Sequence, residues 1–242
     1  MRAFHGDPAI KVKYLARVRT HITADDLIRG TGWDGSKGCA VGCTLEKYDH
    51  KAYEKELGIP EWLARIEDTL FEGMTEEKSR IWPEVFLKAI PIGADLRPVK
   101  AKFFVILLKS TLKSMNEAKF DVKKFPGVAA AIQQSKAAVE QMIAAHEAGG
   151  DLSAAESAAR SAAESAWSAA RSARSAAESA RSAESAAAWS ARSAAESARS
   201  AESAAAWSAA ESARSAWSAA ARSAAYDYYA DELIKLLKGA EK

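Results

Sequence analysis

Between Ser153 and Ala225 the chain is built from five residue types: 34 Ala, 20 Ser, 8 Arg, 7 Glu and 4 Trp. Every serine from Ser157 to Ser223 follows Glu, Arg or Trp, and one to three alanines come after it, giving 19 units. Counted from Ser153, the mean serine spacing is about 3.7 residues, close to the 3.6 of an α-helix. Serine therefore forms one stripe, and Glu, Arg and Trp form a second about 100° away. A β-helix is excluded, because β-branched residues and turn glycines are absent. Ser153 with Glu156 fits a capping box, with Asp151 as the alternative cap, and Gly239 is a stop after Lys238. The pattern predicts one helix over 153–238, roughly 130 Å long at 1.5 Å per residue. The alternative is a chain folded back as a helical bundle, with turns made only of Ala and Ser.

An alanine face lets helices approach closely, as small residues do between membrane helices. The interspersed Glu and Arg exclude a membrane span here. A period near 11/3 predicts a straight or weakly right-handed coiled-coil-like assembly. Trp167, Trp189, Trp207 and Trp217 would supply the larger burial, because four exposed indoles on one stripe would be sticky. The tail, residues 226–242, returns to ordinary amphipathicity through Tyr226, Tyr229, Leu233, Leu236 and Leu237. It reads as a docking segment that clamps onto the N-terminal part or dimerises.

The repeat makes whole-chain averages misleading. Of 242 residues, 48% score as hydrophobic, an ordinary figure for a globular protein, yet much of it is alanine on a helix surface. The net charge is +2, and no segment is strongly polarised, so there is no electrostatic case for nucleic acid or an anionic membrane. The N-terminus lacks the apolar stretch of a secretory signal. The longest apolar run, Phe103 to Leu108, is far short of the roughly 20 residues that cross a bilayer. Two cysteines make no disulfide framework. A cytoplasmic protein is the expectation.

Residues 1–150 read as an α-helical globular head, so the fold class expected is all-α throughout. Asp7-Pro8 is a cap with proline in the first turn, followed by Ile10, Tyr14, Leu15 and Val18 at helical spacing. Thr23 is expected to cap a short helix through Leu27, closed by Gly30. Asp49 caps a helix to Leu57 that Gly58 stops. Pro60 opens an amphipathic helix carrying Trp62, Leu63, Ile66, Leu70 and Phe71. Further helices are predicted from Thr75, from Pro83 or Glu84 to Ile90, from Pro98 through the FFVILL run, and from Val128 to Glu147. The FFVILL run is expected to be the most buried element. Gly149-Gly150 marks the boundary with the repeat, 151–225.

The loop Gly30–Cys43, GTGWDGSKGCAVGC, holds five glycines, so its backbone must turn tightly or approach another chain segment closely. It lacks the residue order of a phosphate-binding loop. Trp33 either stacks on a ligand or plugs the head. Cys39 and Cys43 fall on one face if a helix begins at Gly38. With His50, His5 and His21 they would suit zinc. Alternatively Cys39 is a nucleophile, His50 its base, and Asp49 or Asp34 the orienting acid. As structural residues, both thiols would be small core groups in a glycine-rich turn.

HGDP at 5–8, KGCAVGCT at 37–44, ELGIPEWLARIEDTLFEG at 56–73 and the Ser/Ala repeat together resemble a group of bacterial and phage proteins of no assigned activity. The resemblance covers essentially the whole chain. It implies a bacterial or phage cytoplasmic setting and brings no cofactor or site.

Three functions are expected in turn. The first is a non-enzymatic structural or interaction protein that forms a homo-oligomer or binds a protein partner through the long helix. The second is a zinc- or thiol-dependent activity in the head. The third is binding of ice or another regular surface by the Ser/Ala face, although serine lacks threonine's methyl and the charges break the flatness.

Overall fold

The computed structural model describes residues 1–117, 126–149 and 202–241. Among them the fold is all-α, with no strand and only isolated backbone bridges from Gly38 to Leu27 and Trp33. The chain divides into two compact units. One is Met1–Ile106 together with Ser218–Lys242, and the other is Leu107–Trp217. Gly149, where the sequence predicts a boundary, lies inside the second unit. The first unit is thus assembled from two stretches that the sequence separates by 111 residues.

A left-handed turn over Ala3–Gly6 buries Phe4 and leads into α1, Pro8–Thr23. Asp7 Oδ1 accepts from the Ala9 N–H at 2.8 Å, which caps α1 as the sequence predicts. The far end differs. No helix runs from Thr23 to Leu27. Instead Asp25 adopts φ 55°, its N–H reaches Ile22 O, and the Asp26 N–H reaches His21 O. This pair of bonds is a Schellman termination. An aspartate occupies the left-handed position that glycine usually fills, which removes the usual sequence signal.

Helix α2, Ala40–Leu45, is buried along its whole length. Its glycine-rich approach explains the composition of the preceding loop. A side chain on Gly38 or Gly42 would overlap the Gly32 carbonyl, and one on Gly32 would meet the Tyr48 ring. The glycines are there because backbone lies on backbone and on an aromatic face.

Helix α3, Ala52–Leu57, begins where Asp49 Oδ1 accepts the Lys51 and Ala52 N–H groups, and it stops at Gly58 in the left-handed region. Helix α4, Glu61–Gly73, begins one residue after the extended Pro60. Its buried stripe is Leu63, Ala64, Glu67, Asp68, Leu70 and Phe71, while Trp62 and Ile66 are half-buried. Two carboxylates therefore lie on the core face. The short α5, Glu76–Ser79, leads to α6, Trp82–Ala89, which buries Phe86 and Leu87. It ends at Ile90 before Pro91, as proline requires.

Helix α7 is Arg97–Glu117, and Asp95 Oδ1 accepts its first N–H at 3.0 Å. The FFVILL run is not the most buried element: Phe103 is buried, but Phe104 to Leu108 are only half-buried. A run apolar on all sides of a helix cannot turn every residue toward one core. In the second unit, α8 covers Pro126–Ala148 with Ala131, Ala138 and Ile143 buried, and Lys109 pairs with Glu147 at 2.7 Å. Helix α9 covers Glu202–Lys238. Its C-terminal part belongs to the first unit and places Ala230, Leu233 and Leu237 in that core. The repeat between 151 and 201, with its capping box, its expected continuous helix, Trp167 and Trp189, lies outside the described residues.

Candidate functional site

Two places in the first unit concentrate chemistry. One is a buried polar cluster around α2 and α4, and the other is the seat of the C-terminal helix.

Cys39 is the N-cap of α2, and its Sγ accepts the Gly42 N–H at 3.4 Å. Two effects compete on this thiol. The backbone N–H groups at the helix start favour a thiolate. Burial and the adjacent Asp68 carboxylate oppose it, and they win, raising the Cys39 thiol well above its ordinary range. Cys43 is fully buried. Its thiol donates toward Gly38 O at 3.4 Å and Asp26 O at 3.6 Å, and burial pushes it up to about 12. Both sulfurs are thus satisfied core groups that hold their protons.

His50 Nε2 lies 3.1 Å from Asp68 Oδ2, and the Tyr48 hydroxyl donates to the same oxygen at 3.2 Å. Tyr48 and His50 meet edge to face at 4.9 Å. On the neighbouring position of α4, Glu67 is wholly buried, and its Oε2 accepts the Tyr53 hydroxyl at 2.6 Å. Burial, reinforced by Asp68, raises Glu67 well above the usual carboxylate range against the opposing pull of Tyr53. Glu67 Oε1 and Asp68 Oδ1 are both buried without a hydrogen-bond partner. A charged carboxylate in that position would be costly, so the protonated form of Glu67 is the stable one.

The structure brings Cys39, His50 and a carboxylate together, but the carboxylate is Asp68. Asp49 caps α3, and Asp34 accepts the Ser36 and Lys37 N–H groups in its own turn. The thiol also faces a carboxylate rather than an imidazole that would deprotonate it. His5 Nε2 is 3.0 Å from Lys55 O, and His21 Nδ1 is 3.0 Å from Asp26 Oδ2 with its ring edge to face with Trp33. Among the described residues, no three His, Cys, Asp or Glu side chains are placed to share a metal ion. Sequence reasoning missed Tyr48, Tyr53, Glu67 and Asp68. The available signal was the position of Glu67, four residues after Leu63 and three before Leu70, on the apolar stripe of α4.

The second place is built by α9. Tyr226 lies against Gly73, where any side chain would overlap its ring. Asp227 accepts the Thr75 N–H at 3.0 Å through Oδ1 and the Thr75 hydroxyl at 2.9 Å through Oδ2. Thr75 immediately precedes α5 and makes no side-chain cap of its own, so a residue 152 positions away anchors the start of that helix through Thr75. Lys78 Nζ reaches Asp231 Oδ2 at 2.8 Å and the Asp227 carbonyl at 3.4 Å. Leu233 is fully buried, whereas Tyr229 and Leu236 are half-buried. Beyond the helix the Asp95 N–H donates to Glu241 O at 2.8 Å. Here Leu236, Gly239 and Glu241 close one side of a cleft of about 320 Å³ whose other side includes Arg2, Asp95 and Lys102. Trp207 and Trp217 lie along the earlier part of α9.

No protein-family model, curated protein or solved structure matches this chain.

Proposed function

We propose that this is a non-enzymatic structural or interaction protein, a helical head carrying an Ala/Ser repeat through which copies of the chain self-associate. The observation that carries the reading is the seat of α9: the chain returns from the repeat into the head's own core through Leu233 and Leu237. The buried polar cluster supports the same reading, because its thiols hold their protons and serve as a cap and a core group. No helix of the described residues is long and apolar enough to cross a membrane. A cytoplasmic setting in a bacterium or phage, and no role on nucleic acid, complete the proposal.

Light scattering and sedimentation equilibrium of the full chain across a wide concentration range test it. The expected result is a mass above the monomer that rises with concentration. A strictly monomeric, compact particle at every concentration refutes it.

A further inference from the structure

We propose that the seat of α9 is an exchangeable joint: residues 226–241 of one copy dock on the head of a second copy through the same contacts they make in cis. The proposal rests on the self-association inferred above and names the surface where two copies are linked.

The seat has three properties that suit exchange. It is a complete recognition surface, because an aromatic ring is matched to a glycine, a carboxylate to a helix start, and a lysine to a second carboxylate. Its apolar part is equally specific, with Ala230, Leu233 and Leu237 buried along one face of α9. Finally, the two halves of the seat are joined only through the 111 residues Leu107–Trp217. No short turn forces the docked helix to come from the same chain. Exchange of an identical element costs no contacts, since each one broken in cis is remade in trans. Lengthening the connection between two partners adds only slowly to the entropy of closing it, so cis docking is favoured mainly by proximity. Association of the chains through the repeat supplies that proximity to a neighbour's head as well.

The test uses two full-length chains, one carrying Thr75→Cys and the other Asp227→Cys. They are mixed, unfolded, refolded together and oxidised. The native thiols are buried and protonated, so the engineered positions react first. Exchange predicts a covalent heterodimer joined between positions 75 and 227, identified by peptide mass spectrometry. Random pairing would place up to half of the chains in that species. Lys78→Cys mixed with Asp231→Cys repeats the experiment with the bonds from Asp227 to Thr75 left intact. A single chain carrying both Thr75→Cys and Asp227→Cys is the control: if it alone cross-links, and only within one copy, the proposal is overturned. Light scattering of the unsubstituted chain separates the two levels. An oligomer without trans linkage sinks the exchange alone, whereas a monomer sinks the self-association beneath it too.

Discussion

Replacing Leu233 by alanine probes how much the C-terminal helix contributes to the head. Leu233 is fully buried on a helix whose other core residues are Ala230 and Leu237. Moving a leucine side chain from water into a core is worth about 1.5–3 kcal/mol. The unfilled cavity adds to the loss, so Leu→Ala at such a site costs about 2–5 kcal/mol. Against a domain stability of roughly 5–15 kcal/mol, that is a large fraction. At about 4 °C per kcal/mol for a domain of this size, Tm should fall by roughly 8–20 °C. Calorimetry of the full chain measures it. Hydrogen exchange over 226–238 shows whether the loss is global or confined to release of this helix, in which case its amides alone would lose protection. Arg222→Ala, an exposed position on the same helix, is the control and should stay within about 0.5 kcal/mol. A Leu233→Ala chain within about 1 kcal/mol of the parent, with unprotected 226–238 amides in both, would refute the reasoning, because it would mean the seat is not formed.

Three further outcomes follow from the geometry. Glu67→Gln keeps an acceptor for the Tyr53 hydroxyl and removes a buried ionisable group. The carboxyl is raised in the folded state, so its contribution is favourable below its unfolded value of about 4.3 and is lost as pH rises. The variant's gain in Tm over the parent should therefore widen from pH 4 upward, and a pH-independent difference counts against the assignment. Gly73→Val should displace Tyr226, at a cost of about 1–3 kcal/mol. Tyr226→Ala in the same chain should recover part of that loss, and strict additivity in the double-mutant cycle would argue against contact. Cys39 and Cys43 should resist a thiol reagent in the native chain and react fully in denaturant, and rapid native labelling of either would contradict their burial.

The helical class and several helix starts were legible because they depend on local signals. Asp7-Pro8, Asp49 with Gly58, and the stop before Pro91 each act within one turn of the chain. The end of α1 was not legible, because Asp25 takes a conformation that glycine normally marks. The glycine-rich loop was half legible. Its composition announced close approach, but only the fold shows that Gly32, Gly38 and Gly42 are pressed together with Tyr48. Cys39 and His50 each lie beside Asp68 on α4 rather than beside Asp49 or Asp34, a carboxylate that a linear reading does not bring near them. The amphipathic face of α9 was visible in the sequence, while its partner surface depends on Gly73, Thr75 and Lys78, about 150 residues earlier.

The bonds that Asp227 makes with Thr75 also carry a schedule. A ribosome adds about 5–20 residues per second, so Leu237 follows Ile106 by roughly 7–26 s. Throughout that interval the residues of α1 to α6 exist without Leu233 and Leu237, which share their core, and without the carboxylate that Thr75 meets. The core that α9 completes is therefore closed only after residues 226–241 have been made. On a message carrying several ribosomes, the first copy of residues 226–241 to arrive can belong to the chain ahead.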